Sequence, residues 1–400
     1  MVKKIKKILI AIVLSIFLLN QCNTISKEKK SIKKKQVNIF KNTLRMSTYF
    51  NKVDYKLFNI PDSILIGNIS AYFKLGNYQI IVDKRYSRSV DLFDKNGNFL
   101  KRLKRIGNGP GEYRKIVSCS IDKKNNHIIL FDRQKINFYS IPNFKYIKSI
   151  SVKGSGAFAD MIFFNNYIYL YSISKFSDKL GLLGRINIKD NKREILIKKV
   201  PEILNRTSWI GKKQFAIYND NLYFIPSFCS KIYKIDSLGK LSVKFKLYNK
   251  SIIISDYSEF LEDNISDKFK IIDRLSDYYT LIYTFCINNS SLLCLSIPYK
   301  NNQFFAYSTL KSDSINFYNN RINDVNGNST EKYLFGKFVF NNINKYIESI
   351  QPEDLFDILI KTKNDKKIEK ALYKKEIKNI PLILKDKLGT KNMPILEIFY

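Results

Sequence analysis

Three segments of this chain repeat one another, and that repetition narrows the possible folds more than any other feature. Tyr78-Gln79-Ile80-Ile81-Val82-Asp83 leads through a polar turn to Ser89-Val90-Asp91-Leu92-Phe93-Asp94. His127-Ile128-Ile129-Leu130-Phe131-Asp132 leads through Arg133–Lys135 to Ile136-Asn137-Phe138-Tyr139. Asn221-Leu222-Tyr223-Phe224-Ile225-Pro226 leads through Ser227–Ser230 to Lys231-Ile232-Tyr233-Lys234-Ile235-Asp236. Each is a short apolar run, a polar turn and a second, alternating run. Aromatic and β-branched residues dominate, and the runs have strand length, not helix length. Weaker copies lie at Tyr167–Ser172, Leu292–Ile297 and Tyr346–Gln351. With Asp83, Asp132, Ser172, Pro226, Ile297 and Ser349 as equivalent points, the intervals are 49, 40, 54, 71 and 52 residues.

One four-stranded unit cannot cover both of its faces. Radial packing gives each face a neighbour and leaves only short edges. The expected fold is therefore all-β, a six-bladed β-propeller over residues 46–400. The 71-residue interval contains Ser255–Leu275, whose acidic start and apolar spacing (Phe260, Leu261, Ile265, Phe269, Ile272) predict a helical insertion at 255–275. Pro352-Glu353-Asp354 opens a second helical segment, 352–388, with acidic groups in its first turn and Leu355, Ile358 and Leu359 on one face. The apolar run Asn392–Tyr400 and a strand near Tyr55–Ile60 are the natural partners for closing the ring.

The N-terminus speaks to location. Lys3, Lys4, Lys6 and Lys7 precede an apolar run from Ile8 to Leu19, followed by Asn20-Gln21-Cys22. A basic start, an apolar stretch too short to span a bilayer and a cleavage site make a secretory signal, here residues 1–21. A cysteine directly after the run, with Leu19 three residues before it, suits lipidation of Cys22. Asn20 and Gln21 are bulkier than the small residues usual there, so an ordinary signal with a chance cysteine stays open. Residues 22–45, rich in lysine, read as a disordered tether. The expected location is the cell envelope at the outer membrane, on either its periplasmic or its surface face.

Charge and cysteine usage then narrow the partners. The formal charge of +34, less the four signal lysines, leaves +30 on the exported part. Such a chain attracts nucleic acid, anionic lipid or acidic glycan. Export removes nucleic acid from the partners, and the domain reads as a monomer. Lys, Asn, Ile, Phe and Tyr also have AT-rich codons, so composition alone is an equal account of the charge. After Cys22, the remaining Cys119, Cys229, Cys286 and Cys294 form no CxxC pair and no metal-like spacing. His127 is the one histidine, which leaves few options for a zinc site or for Ser-His-Asp chemistry. Neither a metal nor a cofactor is expected. Cys286 and Cys294 sit asymmetrically about Asn288-Asn289-Ser290, so a simple hairpin would not place them opposite each other, and a disulfide is disfavoured.

Asp94-Lys95-Asn96-Gly97-Asn98-Phe99-Leu100, then Ile106-Gly107-Asn108-Gly109-Pro110-Gly111-Glu112-Tyr113, resembles the NHL-like six-bladed β-propeller lipoproteins of Bacteroidota. The shared pattern is a D-x-x-G-x-F turn and a G-x-G-P-G-E-Y loop. Lys231–Ile235 with Leu238-Gly239, Asn323-Asp324-Val325 and Asn392–Leu396 resemble the family more weakly, and Met393 separates Asn392 from Pro394 as a departure. The resemblance implies fold and location and no particular reaction. The loop also reads from physics. Asn96-Gly97 suits a tight turn, and Gly107, Gly109 and Gly111 around Pro110 let the chain reverse. A phosphate loop would need a following helix, whereas Arg114–Cys119 looks like a strand, so a structural turn is favoured.

No catalytic constellation stands out. Asp83 and Asp132 occupy equivalent positions and either bind a cation or sugar at the mouth of the axis or cap the next turn, as Asp commonly does. Arg85, Tyr86, Arg88 and Arg133 share those turns and would suit an acidic or carbohydrate ligand, with solvated turn residues as the plainer reading. Trp209, the one tryptophan, would stack on a sugar or pack locally. Three function classes remain open: a lipid-anchored binding or scaffold module for a protein or anionic glycan, an envelope hydrolase or lyase acting at the axis, and an extracytoplasmic sensor. The binding module is favoured, because an enzyme needs converging carboxylates or metal ligands and fold alone is weak warrant for either.

Overall fold

Each apolar run of the repeats named above between Tyr78 and Ile297 forms a strand, some strands ending a residue or two before the run does. The structure, a computed structural model, describes residues 34–155, 157–173, 180–200, 213–248, 285–287, 292–299, 302–322, 337–338, 340–341, 346–350 and 395–399. The strand order is regular. Strands β3 (Ala71–Leu75), β4 (Tyr78–Asp83), β5 (Ser89–Phe93) and β6 (Phe99–Leu103) form one antiparallel set. Strands β7 (Ser118–Asp122), β8 (His127–Phe131), β9 (Lys135–Ser140) and β10 (Tyr146–Ser151) form the next. Strands β11 (Phe158–Phe164), β12 (Tyr167–Ser172), β13 (Leu183–Asn187) and β14 (Arg193–Ile197) follow in the same order. So do β15 (Phe215–Tyr218), β16 (Asn221–Phe224), β17 (Lys231–Ile235) and β18 (Leu241–Tyr248). A further run is β19 (Phe285–Ile287), β20 (Leu292–Tyr299), β21 (Asn302–Thr309) and β22 (Ser314–Ile322).

The last sheet joins the two ends of the chain. Strand β2 (Val53–Leu57) pairs antiparallel with β26 (Ile395–Phe399), from Val53 opposite Phe399 to Leu57 opposite Ile395. Strand β26 also pairs with β25 (Tyr346–Ile350), which pairs with β23 (Lys337–Phe338). The expected pairing of the N- and C-terminal strands is present. Two-residue β24 (Phe340–Asn341) lies parallel to β3.

Packing explains the texture of the runs. Second strands carry consecutive buried apolar residues, such as Ile80-Ile81-Val82 and Ile128-Ile129-Leu130-Phe131, because each has a neighbouring sheet on both faces. Ile80 and Val82 pack with Ile128 and Leu130 of the following sheet. Ile129 and Phe131 pack with Ile168 and Leu170 of the next, and Tyr169 and Tyr171 with Leu222 and Phe224 beyond. Ile81 and Phe93 turn the other way, onto Ile347, Leu396 and Ile398 of the sheet made by the chain ends. First strands adjoin in sequence, β7 against β11, β11 against β15 and β15 against β19. Face-to-face packing of successive four-stranded sheets makes the fold propeller-like. Hairpins use left-handed Asn and Asp where tight turns demand them, as at Asn165-Asn166 and Asn219-Asp220.

Two expectations change. The lysine-rich 22–45 segment is not tether throughout, because Lys34–Arg45 is strand β1, parallel to both β18 and β22. Lysine density hid Val37, Ile39, Phe40 and Leu44, and the two neighbouring strands supply backbone partners that composition cannot show. Cys286 and Cys294 are direct register partners, since β19 and β20 pair Ile287 with Leu293 around a loop longer than the Asn-Asn-Ser turn. The single helix among the described residues is the 3-10 turn Met46–Thr48. The helical expectations at 255–275 and 352–388 lie outside the described residues, as do signal residues 1–21 and Cys22.

Candidate functional site

Two kinds of connection meet at one end of the sheets: the segments entering first strands and the turns after second strands. The repeat places Asp83 and Asp132 in those turns, where both are buried. Asp83 Oδ2 accepts from the Gly67, Asn68 and Ser87 amides at 3.0, 3.3 and 3.1 Å and from the Ser87 hydroxyl at 3.0 Å. Its Oδ1 accepts from the Arg85 and Tyr86 amides, both at 3.0 Å. Asp132 repeats this on a smaller scale, accepting from the Arg114, Gln134 and Lys135 amides at 3.2, 3.3 and 3.2 Å. Each carboxylate thus ties its own turn to the segment entering the first strand of its sheet. At the third equivalent point the Ser172 hydroxyl donates to the Ala157 carbonyl, reaching the same segment without a charge.

With the carboxylates turned inward, the basic side chains remain. A cavity of about 610 Å³ opens between the starts of β3, β7 and β11. Lys84, Arg85, Lys115, Arg133 and Lys213 line it, and its described lining contains no Asp or Glu. Ile69, Ile116, Phe158 and Ile173 supply apolar wall. Lys213 is 4% exposed and its Nζ lies 2.8 Å from Asp160 Oδ1. That carboxylate also accepts from the Ser118 hydroxyl at 2.7 Å and from the Gln214 amide at 3.2 Å. Burial pulls the Lys213 ammonium below the usual lysine range, against the pull of Asp160. Burial likewise lowers Lys115, and Arg133 beside it adds to the effect. The Cys119 thiol on the same wall is pushed up to about 11 by burial, so it is a core thiol and not a nucleophile.

The candidates from the sequence therefore separate. Arg85 and Arg133 reach the cavity, whereas Asp83 and Asp132 hold the backbone behind it. Tyr86 is 56% exposed beside the cavity and rests on Gly67, where a Cβ would come within 2.8 Å of its own. The Arg85 guanidinium lies 5.4 Å from the Tyr86 ring centroid. Arg88 points elsewhere, donating to the Arg114 carbonyl at 3.3 Å. Lys84, Lys115 and Lys213 were not singled out from the sequence. Lys84 adjoins Asp83 and Arg85, which were, whereas Lys115 comes near Arg133 only in space and Lys213 carries no sequence signal because only tertiary packing brings it there. Trp209 lies outside the described residues. No group of three or more His, Cys, Asp or Glu among the described residues could hold a metal ion.

The glycine-rich loop does a different job. Glu112 Oε2 accepts from the Gly109 amide at 2.8 Å, and a Cβ at Gly107 would strike that carboxylate. Gly111, at φ +70°, packs on Tyr146, and its carbonyl accepts from the Tyr139 hydroxyl at 3.0 Å. Buried Tyr113 donates to the Arg88 carbonyl at 2.9 Å. Pro110 sits between these contacts, and Gly97 turns the β5–β6 hairpin at φ +94°. The loop folds on itself, the Gly109 amide turned to Glu112 and the Gly107 amide to the Tyr113 carbonyl.

The sequence pattern of the family described as Domain of unknown function (DUF4934) matches residues 31–383, and the chain belongs to that family. Among curated proteins none matches its sequence. Among solved structures it is similar to a candidate exported protein from Bacteroides fragilis NCTC 9343. The TM-score is 0.69 at 14% identity, over 90% of this chain and 98% of that one. A member of the duf4221 family from Bacteroides vulgatus matches with a TM-score of 0.47 at 10% identity, over 88% and 99% of the two chains. A catalytically inactive virginiamycin B lyase from Staphylococcus aureus with quinupristin matches with a TM-score of 0.40 at 12% identity, over 66% and 74%. The first likeness establishes a shared fold.

Proposed function

We propose that this member of the DUF4934 family is an exported, envelope-tethered binding module, a six-bladed NHL-like propeller whose ligand enters the cavity between β3, β7 and β11. The observation that carries the reading is the cavity itself, about 610 Å³ with convergent polar groups on a partly apolar wall. That is the size and make-up of ligand sites in general. Support for six blades comes from the strand groups. Those at 71–103, 118–151, 158–197, 215–248 and 285–322 each supply four strands, and β23, β25, β26 and β2 supply another four. Support for the envelope comes from the leader and Cys22, and from the likeness to a candidate exported protein. The lipid on Cys22 holds the module at the outer membrane.

The test is native mass spectrometry of the purified protein with a panel of envelope glycans and peptides, followed by recovery of each ligand. A one-to-one complex with the ligand recovered unchanged supports a binding module. A ligand returned cleaved shows an envelope hydrolase or lyase instead, and absence of any complex refutes the site. Cys22→Ser should move the protein from the membrane to the soluble fraction; retention in the membrane refutes the anchor.

A further inference from the structure

Four of the five cations of the cavity fall into two pairs, with Arg85 apart. Lys84 and Lys213 flank the Cys119 thiol and each acts on it, and Lys84 also opposes the charge on Lys213. Lys115 and Arg133 form the second group, near enough that the arginine disfavours protonation of the lysine. Asp160 offsets Lys213. Among the described residues no carboxylate forms an ion pair with Lys84, Arg85, Lys115 or Arg133. Gathering like charges in a half-buried pocket is unfavourable unless an opposite charge joins them. An arginine adds planar, forked recognition of an oxyanion, which a lysine supplies only as a point charge.

From this we infer that the cavity takes a small molecule carrying at least two oxyanion groups, phosphate or carboxylate, on a compact body: one group by Lys84, the other by Lys115 and Arg133. Size argues against a lone anion. At roughly 30 Å³ per liquid water, the cavity volume of about 610 Å³ equals some twenty waters, far more than one phosphate or carboxylate displaces. Ile69, Ile116, Phe158 and Ile173 line the space a sugar-sized or similar body would fill. Phosphates of a lipid headgroup and carboxylates of an acidic glycan share this chemistry. The inference rests on the binding-module reading and adds the class of ligand to it.

The experiment is isothermal titration of the full chain in detergent with two graded series. One is glucose, glucose 6-phosphate and glucose 1,6-bisphosphate; the other is galacturonate and digalacturonate. The doubly anionic member of at least one series should bind about tenfold tighter than its singly anionic counterpart, the gain expected of one desolvated charge contact. The series that responds names the oxyanion. Lys115→Gln/Arg133→Gln and, separately, Lys84→Gln should each erase that gain while melting like wild type. The inference fails if single and double anions bind alike, if neither double anion binds, or if the variants keep the tenfold gain. A neutral ligand found bound in the cavity by the glycan and peptide panel would leave the binding module standing and refute only its anionic ligand.

Discussion

Replacing Asp83 by Ala separates a carboxylate that holds the fold from one that holds a ligand. Six donors converge on this 0%-exposed side chain: the amides of Gly67, Asn68, Arg85, Tyr86 and Ser87, and the Ser87 hydroxyl. Arg85 and Tyr86 are exposed and their amides recover water at small cost. The Ser87 hydroxyl keeps Ser89 Oγ at 2.7 Å. The Gly67, Asn68 and Ser87 amides are left, each costing about 1 kcal/mol or more once stranded. With the smaller terms the expected loss is about 4 kcal/mol. At about 2.1 cal/mol/K of unfolding entropy per residue, the ~370 residues of Lys34–Tyr400 give a fall in Tm of about 5 °C.

Asp132→Ala should cost less than half as much, because that carboxylate accepts from three amides and those of Arg114 and Gln134 belong to exposed residues. Asp83→Asn is not a rescue, since its amide nitrogen would face backbone donors on one side or the other. Thermal melts and urea titrations of the three variants check the order. Asp83→Ala melting within 1 °C of wild type, or Asp132→Ala costing as much, would refute the structural assignment of these carboxylates.

Other outcomes follow from single features. Arg133 sits at φ +72°, where a non-glycine residue costs about 1 kcal/mol, so Arg133→Gly should melt no lower than wild type while losing double-anion binding; a clear drop in urea midpoint contradicts this. Removing 394–400 takes out β26, which is paired on both sides and buries Leu396 and Ile398 at about 1.5–3 kcal/mol each, so the truncated chain should aggregate or lose cooperative melting; an unchanged melt contradicts this. Cys119, with its thiol pushed up to about 11, should ignore Ellman's reagent at pH 8 until the protein unfolds. Because the folded thiol holds its proton longer than the unfolded one, its contribution is complete below about pH 9 and fades as pH rises toward 11. Cys119→Ala should therefore flatten stability against pH in that window.

Strands were legible in the sequence because sheet burial writes itself locally. Runs such as Ile80-Ile81-Val82 and Ile128–Phe131 are continuous because both faces are covered, and the turns between them carry their own polar residues. The repeat supplied the equivalence of Asp83 and Asp132, which the hydrogen bonds show in detail. What escaped was whatever depends on a distant partner. Strand β1 looks polar until β18 and β22 are set beside it, and the Cys286–Cys294 register depends on a loop length that a three-residue turn motif does not reveal. Lys213 lies about 80 residues from Arg133, in another sheet's entry segment, and joins it only across the cavity.

The same turns explain why the site was half visible. A turn after a second strand needs an acceptor for its amides and for those of the entry segment, and Asp83 and Asp132 fill that need from within. The residues beside them are then directed outward, which puts Lys84, Arg85 and Arg133 at the cavity. Carboxylate and cation are neighbours in sequence, but the carboxylates hold backbone amides while the cations line the cavity. At the third equivalent point, Ser172 makes the backbone tie with a hydroxyl and the following Ile173 gives the cavity an apolar wall. Two charged turns and one uncharged turn make the cavity lopsided, with cations concentrated toward β3 and β7. Reversing that pattern, by placing Lys at Ile173 and Gln at Lys84 and Lys115, should move anion binding without removing it if charge placement alone selects the ligand. Loss of all binding in such a protein, with its melt preserved, would show instead that the replaced side chains contact the ligand directly, and Ile173→Lys alone then separates the apolar wall from the two lysines.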